Sequence, residues 1–319
     1  MAVEIINISL VIATIDRAAV LRRTLESLAA QSAQPAEVII IDASKDLTTR
    51  DLCVERPVNG LEAHVIWLAA RMPGAASQRN QGVQQCHNAF IGFFDDDILF
   101  ERDCIARLWS ALQSDAGIGG VNAMITNQRY QTPGRVSRLM FRLMAGRKES
   151  TISYAGRVLG PAVNLLPEDR DDLPKVVPVQ WLNTTCTLYR RQALPDPPFP
   201  DNFTGYSLME DLSLSLTVGR HWKLANARTA RIHHDSQSGE YKSDLVELSK
   251  MELVNRYFIM TQIMCRRGVG DYAKLALWEL YQLVVCALRT QGRAQFRRVL
   301  CGKLLGLRNI VAKRRLAPR

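Results

Sequence analysis

The sequence predicts an α/β fold with a mixed, mainly parallel sheet, flanking helices and a helical extension at the C-terminal end. Apolar β-rich runs alternate with helical stretches in the first third of the chain, and two of these runs end in aspartates. Helical periodicity and basic residues dominate the last part of the chain. We therefore expect an α/β domain over residues 1–265 and a basic helical extension over residues 266–319.

The elements of the first third follow one another as strand and helix. Residues 5–14 form an apolar, β-rich run, and the stretch after it places Leu21, Leu25 and Leu28 on one helical face. Strand–helix units at this spacing are typical of a parallel sheet with right-handed crossovers. The other elements predicted here are strands over 38–41, 65–68 and 89–94 and a helix over 74–85.

The pattern is less regular further along. Residues 127–178 carry many prolines and glycines, which predicts a loop over the site. A strand is predicted over 179–189, a short helix over 209–220 and a last strand over 228–234. Helical periodicity then dominates from residue 243 to the end.

Three consecutive aspartates, Asp95, Asp96 and Asp97, follow the strand predicted over residues 89–94. Such a cluster is costly unless a cation lies beside it, and the usual solution is a divalent metal shared with a phosphate. The strand over 38–41 also ends in an aspartate, Asp42. This edge of the sheet is therefore the expected ligand site, because α/β folds bind ligands at the carboxyl ends of their strands. The alternative is an acidic loop after a strand.

The net charge of +10 is concentrated at one end of the chain. Residues 266–319 contain 13 Lys and Arg but only 2 Asp and Glu, so they carry +11 and the rest of the chain carries −1. Such a segment favours an anionic partner, either acidic lipid headgroups or nucleic acid. Nucleic acid is not expected, since no base-reading motif accompanies the basic residues.

Cysteine usage and hydropathy predict a cytoplasmic protein. The seven cysteines are scattered, odd in number and without a C-x-x-C pair, which favours reduced thiols over disulfides or a cysteine–zinc site. No signal peptide is expected at the N-terminus. The longest late uncharged run, residues 280–288, is too short for a spanning helix, which needs about 20 residues.

Six short segments together resemble glycosyltransferase family 2, whose members are inverting enzymes with the GT-A fold. The resemblance covers residues 5–265, and the segments in chain order are SLVIATIDR, EVIIIDAS, GAASQRNQG, FFDDD, MEDLSLSL and RIHHDS. It implies a nucleotide-sugar donor linked to UDP, dTDP or GDP, and a divalent metal, Mn²⁺ or Mg²⁺. The family's processive synthases carry a Gln-x-x-Arg-Trp motif that is missing here, which favours transfer of a single sugar.

The resemblance also implies a metal site. Asp97 would be the direct ligand, Asp95 would face the ribose of the donor, and Asp96 has no clear place. The second ligand from the protein would be His233 or His234, and the sequence does not distinguish them. The alternative for this pair is one buried and one exposed imidazole without a metal.

The donor pocket implied by the resemblance begins with Asp42, which would accept a hydrogen bond from a uracil-type base. Its alternative role is a helix N-cap. The backbone of Ala13 and Thr14 would line the same pocket, with Arg17 nearby or in a surface salt bridge. Arg79 would reach a phosphate or hold the aspartate cluster by a bidentate ion pair.

The resemblance assigns catalysis to Glu210 and Asp211. Asp211 would take the proton of the acceptor hydroxyl and Glu210 would position the acceptor, as inverting transfer needs one carboxylate base. Their alternative role is to complement the dipole of a helix N-terminus. Trp181 and Asn183 would shape the sugar and acceptor subsites, although Trp181 is equally a core residue. The sequence departs here from a Gly-rich family pattern, which leaves the donor sugar open.

The C-terminal helices present a basic amphipathic pattern. We interpret this pattern as a helix that lies on the surface of an anionic membrane. The alternative is a helical hairpin packed on the body, with its basic face in solvent. The two arrangements can coexist. Lys303 intrudes on the apolar face and would snorkel. That face comprises Phe296, Leu300, Leu304, Leu307 and Val311.

We therefore expect a metal-dependent inverting glycosyltransferase, peripheral at the inner face of the plasma membrane, acting on a glycan or lipid-linked acceptor in bacterial surface-polysaccharide assembly. Two other functions fit parts of the sequence. A sugar nucleotidyltransferase should carry a Gly-rich loop after the first strand, but residues 13–20 contain no glycine. A non-catalytic membrane adaptor with a degenerate transferase body would not need the acidic cluster or the Glu210-Asp211 pair.

Overall fold

The structure is a computed structural model that describes residues 3–55, 58–146, 153–236, 244–288 and 292–316. The chain forms two compact units. The first unit comprises residues 1–130 and 166–237, and the second comprises residues 131–165 and 238–319. The second unit thus takes in a segment from the middle of the chain, and residue 265, where the sequence predicts a domain boundary, lies inside it.

A mixed sheet forms the centre of the first unit and confirms the predicted fold class. Within the described residues, nine strands join in the order β3-β2-β1-β4-β10-β6-β11-β5, with β9 also paired to β11. The strands are β1 (Glu4–Thr14), β2 (Ala33–Asp42), β3 (His64–Ala69), β4 (Phe90–Asp95), β5 (Ile98–Phe100), β6 (Ile118–Ile125), β7 (Val158–Leu159), β8 (Val163–Asn164), β9 (Val176–Val179), β10 (Cys186–Arg190) and β11 (Lys223–His234); β7 and β8 pair in the second unit.

Strand direction follows the predicted alternation in the first third of the chain. Strands β1 to β4 run parallel to one another, and β6 and β11 form a second parallel pair. The antiparallel strand β10 lies between β4 and β6 and joins the two parallel sets. The carboxyl ends of β1, β2 and β4 therefore share one edge of the sheet.

Helices cover this sheet and also build most of the second unit. Helix α1 buries Leu21, Leu25 and Leu28 against the sheet, as their helical spacing predicts. The first unit contains α1 (Ala18–Ala29), α2 (Thr48–Val54), α3 (Ala75–Val83), α4 (Cys104–Gln113) and α6 (Glu210–Val218). The second contains α5 (Arg135–Ala145), α7 (Leu245–Phe258), α8 (Val269–Leu288) and α9 (Gly292–Leu316).

Two regions differ from the sequence prediction. The strand predicted over residues 179–189 is wrong as a single element, because β9 ends at Val179 and β10 begins at Cys186. Residues 180–185 between them lie outside regular strand structure and reach the site described below. The region predicted as an irregular loop over 127–178 contains helix α5 and the β7–β8 pair.

Helix α9 packs closely on helix α7. A Cβ added to Gly302 would lie 2.3 Å from the carbonyl oxygen of Val246, so glycine is required for this contact. Lys303 is only 6% exposed, and its Nζ lies 2.6 Å from a carboxylate oxygen of both Glu252 and Glu279. The prediction that Lys303 snorkels is therefore wrong: its charge is paired inside the second unit.

The apolar face predicted for the last helix is only partly used in this packing. The helix is buried along Gly302, Gly306 and Ile310, whereas the apolar side chains of Leu304 and Leu307 are 59% and 52% exposed. The helix therefore packs on one side, as the hairpin alternative predicts, and exposes basic and apolar side chains on the other; its binding to a bilayer stays a prediction. None of the helices in the described ranges combines the length and apolar character needed to cross a bilayer.

Candidate active site and metal centre

Two carboxylates and one imidazole meet at the carboxyl edge of the sheet. Ligand atoms of Asp95, Asp97 and His234 all lie within 4.8 Å of one another. His234 reaches this place because β11 pairs antiparallel with β5, and the register places His234 opposite Ile98, next to Asp97. His234 Nε2 is 3.0 Å from Asp97 Oδ1. Successive side chains of a strand alternate in direction, and His233 is exposed outside this group.

These three side chains fit a divalent metal. Each offers one atom to a common centre, and carboxylate oxygen with imidazole nitrogen suits ions such as Mn²⁺. The arrangement distinguishes the two histidines, which the sequence could not do. It also includes Asp95 among the candidate ligands, whereas the resemblance places Asp95 at the ribose.

Two amide side chains that the sequence analysis missed hold His234. The side chain of Asn127 donates to the His234 carbonyl over 2.8 Å and accepts from its N–H over 3.0 Å. The Gln128 amide lies 2.9 Å from His234 Nδ1. The contact is made by Gln128 Nε2; with the amide flipped, Gln128 Oε1 would instead accept a hydrogen bond from His234 Nδ1–H and leave the Nε2 lone pair to a metal. Their position directly after β6, the parallel neighbour of β11, is the signal that could have identified them.

Asp96 points to other partners than its two neighbours do. It accepts a hydrogen bond of 2.6 Å from the Thr14 hydroxyl, and Arg17 NH1 lies 3.4 Å from both Asp96 and Asp97. Burial raises the pKa of Asp96 to about 6, and the charge of Asp97 adds to this effect. Asp96 thus ties the end of β1 to the aspartate cluster, and Arg17 supplies the cluster with positive charge.

Arg79 connects the aspartate cluster to the two acids of helix α6. Its guanidinium donates over 2.8 Å to Asp95 and over 2.7 Å to Glu210, and the side chain is buried. The ring of Phe199 lies 5.8 Å from the guanidinium carbon. The predicted bidentate pair with the aspartate cluster is wrong, because each guanidinium nitrogen donates to a different carboxylate; a contact with a phosphate stays a prediction. A buried arginine with two carboxylate partners fixes their relative positions.

Glu210 and Asp211 begin helix α6, directly after Met209, whose φ of 71° is left-handed. Burial raises the pKa of Asp211 to about 8, and the charge of Glu210 adds to this. Burial also raises the pKa of Glu210, although the neighbouring Arg79 opposes the shift. A carboxyl group whose pKa is raised towards neutrality, as burial raises that of Asp211, suits the general base that the resemblance implies.

Asp42 lies at the carboxyl end of β2, opposite Thr14 of β1 in the parallel register. Its Oδ1 accepts a hydrogen bond of 2.9 Å from the Ser44 N–H, and its Oδ2 accepts one of 3.1 Å from the Trp67 indole. These contacts fix the turn after β2 and leave Asp42 buried. Helix α2 begins only at Thr48, so Asp42 is not its N-cap.

The predicted acceptor residues lie in the segment between β9 and β10. Trp181 is buried, as expected of a core residue. Asn183 is also buried, and its Oδ1 has no hydrogen-bond partner among the described residues. The neighbouring Thr184 hydroxyl lies 3.4 Å from Glu210 Oε1. An unpaired buried oxygen such as Asn183 Oδ1 is suited to receive a hydrogen bond from a ligand. Ala13 is half-buried opposite Asp95 in the register of β1 and β4.

Solved structures with a similar fold include glycosyltransferases. The mannosyltransferase PcManGT from Pyrobaculum calidifontis, in complex with GDP-Man and Mn²⁺, is 12% identical over 94% of this chain and 87% of its own, with a TM-score of 0.56. GalNAc-T7 with UDP, GalNAc and Mn²⁺ is 15% identical over 85% of this chain and 54% of its own, with a TM-score of 0.50. TarS 1–349 from S. aureus with UDP-GlcNAc is 18% identical over 93% and 90%, with a TM-score of 0.49.

At these identities the likeness shows the fold alone, which is the GT-A fold. A search of curated proteins finds no match to this chain. The sequence itself matches Glycosyl transferase family 2 over residues 9–194, which is more than half of the chain. The matched part contains the aspartate cluster, Arg79 and Asp42. The chain therefore belongs to glycosyl transferase family 2, and the protein is a glycosyltransferase with the GT-A fold.

Proposed function

We propose that this glycosyltransferase moves a single sugar from a nucleotide-sugar to an acceptor hydroxyl, with inversion and with a divalent metal at Asp95, Asp97 and His234. One observation carries the proposal. The metal group and the Glu210-Asp211 pair belong to one network, joined by the two ion pairs of the buried Arg79 with Asp95 and Glu210. The negative charge that develops on the departing diphosphate at the metal group is thus linked, through Arg79, to the proton acceptor Asp211.

The side chains divide the reaction between them. Asp211 takes the proton of the acceptor hydroxyl, and Glu210 and Arg79 hold the acid pair in place. Asp42 and the ends of β1 and β2 face the nucleotide, with a uracil or thymine base favoured by a carboxylate acceptor. Asn183 offers its unpaired oxygen to a sugar or acceptor hydroxyl. When bound, the metal, Mn²⁺ or Mg²⁺, neutralises charge on the departing diphosphate.

The proposal includes the location of the enzyme. The acceptor is a glycan or lipid-linked glycan in bacterial surface-polysaccharide assembly. The enzyme is peripheral at the cytoplasmic face of the membrane, bound through its C-terminal helices. Support comes from the +11 charge of residues 266–319 and from the apolar side chains that helix α9 leaves exposed.

A panel of UDP-, dTDP- and GDP-sugars tests the donor part of the proposal. We expect one nucleotide class to raise the melting temperature in the presence of Mn²⁺ and to do so much less with EDTA, because ligands that bind only the folded state stabilise it. UDP and dTDP compounds are expected to exceed GDP compounds. A panel without any metal-dependent shift, at donor concentrations in the millimolar range, would contradict the proposal.

A further inference from the structure

We propose that helix α5 is a second lipid-binding element, which docks the second unit on an anionic bilayer together with the C-terminal helices. The proposal rests on the membrane location proposed above and adds a surface that lies about 130 residues earlier in the chain than the tail. The partner proposed for this surface of helix α5 is a bilayer with acidic headgroups.

Helix α5 carries large apolar side chains toward solvent. Val136, Leu139 and Leu143 are 71%, 60% and 48% exposed, and their spacing of three and four residues places them on one face. We call these three residues the apolar strip. On the other side of the helix, Met144 is buried and Phe141 stacks edge-on against Tyr154 with ring centroids 5.6 Å apart. The helix is therefore anchored by one face, while the apolar strip on another face is exposed among the residues that the structure describes.

The charges on α5 indicate the kind of partner that binds the apolar strip. Arg135, Arg138 and Arg142 are all exposed, and the helix contains no acidic residue. We call these three the basic strip. Guanidinium groups beside exposed aliphatic side chains match a surface of phosphate headgroups above acyl chains. A second copy of the chain fits less well, because a two-fold contact through this face would bring the basic strip against itself.

The same compact unit exposes further apolar side chains. Helix α8 contacts α5, since the Ser137 hydroxyl lies 2.9 Å from the Tyr281 hydroxyl, and the tilted rings of Phe141 and Trp278 have centroids 6.3 Å apart. Four α8 side chains are exposed at helical spacing: Leu277, Leu280, Val284 and Leu288. On α9, an apolar groove with basic margins is lined by Arg297, Leu300, Cys301, Leu304, Leu305 and Arg308. Helix α5 and the C-terminal helices α8 and α9 thus all expose apolar side chains within one compact unit, and on α5 and α9 basic side chains lie beside them.

This packing determines which experiment is informative. Deleting residues 266–319 would remove Trp278 and Tyr281, and would uncover Met144 and Tyr154 of the core they share with α5. Loss of lipid binding after such a deletion would not separate the tail from α5. Substitutions of exposed side chains in the full-length protein do separate them, because they leave the buried contacts intact.

The test is flotation of full-length variants with lipid vesicles. One variant replaces the apolar strip by serine, a second replaces the basic strip by glutamine, and a third carries Leu304→Ser and Leu307→Ser on α9. The matched control carries Leu47→Ser and Val54→Ser, which replace similarly exposed apolar side chains of the first unit. The vesicles contain phosphatidylcholine alone, or phosphatidylcholine and phosphatidylglycerol in equal amounts.

Wild type and the control variant are expected to float with the mixed vesicles and much less with phosphatidylcholine alone. Loss of the basic strip should weaken binding to mixed vesicles about 100-fold, from about fivefold for each arginine near an acidic surface. Loss of the apolar strip should weaken binding to a similar degree. Melting temperature and metal-dependent nucleotide-sugar binding should be unchanged in both α5 variants, so that this test is independent of the donor chemistry.

Two outcomes would overturn the role of α5. Wild-type flotation of both α5 variants, with loss only in the α9 variant, would assign lipid binding to the tail alone. A wild-type dimer that becomes monomeric when the apolar strip is replaced would identify the face as a contact between copies. If wild type itself fails to float with mixed vesicles, the membrane location fails together with this inference, while donor binding still tests the rest of the proposed function.

Discussion

Replacing Asp211 with asparagine is expected to lower kcat by about 10³-fold while the affinity for the nucleotide-sugar stays within a few-fold of wild type. Asparagine keeps the shape of the side chain but cannot take the acceptor proton. In the proposed mechanism the donor is held instead by the metal group and the strand ends, which this substitution leaves unchanged. Transfer rates with saturating donor, together with donor titrations, measure the two quantities separately.

The same substitution should change the pH dependence of stability. Burial raises the pKa of Asp211 to about 8, well above the value near 4 of an unfolded aspartate. The unfolded chain therefore releases this proton first, and the native state loses stability as pH rises between these two values. The asparagine side chain carries no titratable proton, so the Asp211→Asn variant should melt higher than wild type at pH 8 to 9, despite its lower kcat. The activity of wild type should also rise between pH 8 and 9, because Asp211 acts as a base only after it has lost its proton.

Asp201→Asn is a suitable control, because Asp201 is an exposed aspartate on the segment that precedes helix α6. It should retain wild-type kcat and the wild-type dependence of melting temperature on pH. A kcat of Asp211→Asn close to that of wild type would remove Asp211 from the role of base.

Replacing Asp97 with alanine is expected to abolish Mn²⁺ binding and the metal-dependent part of nucleotide-sugar binding. Asp97 is buried and is in contact with His234, so the variant loses one of the three candidate ligands together with the contact that it makes to His234. Electron paramagnetic resonance of free Mn²⁺ measures the affinity directly, without any assay of turnover. We expect a loss of at least about 100-fold.

Two neighbouring substitutions sharpen this test. Asp96→Asn changes the adjacent aspartate, whose partners are Thr14 and Arg17, and should keep Mn²⁺ affinity within a few-fold. Gln128→Leu removes the contact to His234 Nδ1 and should weaken Mn²⁺ binding about 10-fold to 100-fold. If Asp96→Asn were as damaging as Asp97→Ala, the register of the cluster would be different from the one described here.

The carboxyl edge of the sheet could be predicted because its signals are local. The apolar runs that end at Asp42 and at Asp95 each predict a buried strand and locate the polar residue at its carboxyl end. The choice between His233 and His234 could not be made from the local sequence. It depends on the pairing of β11 with β5, which places His234 opposite Ile98, and a slip of one residue would reverse it. Asn127 and Gln128 were missed for the same reason, since they act across the sheet.

The second unit was harder to predict because its apolar faces do not all point inward. The pattern of the last helix suggested that Lys303 lies at a surface, whereas two glutamates from other helices pair with it. Helix α5 has a strong amphipathic pattern, but it lies among prolines and glycines and turns large apolar side chains to solvent. Neither the buried lysine nor the exposed Leu139 follows from periodicity alone, because each depends on which helix covers which face.

The anomeric configuration of the first product tests the central claim most directly. Once the panel has identified a donor, its slow hydrolysis with Mn²⁺ can be followed by proton NMR at the anomeric position, even before the acceptor is known. The account predicts that the free sugar first appears with the configuration opposite to that in the donor, and that Asp211→Asn suppresses its formation. Initial release of sugar with the donor's own configuration would contradict a single displacement assisted by Asp211.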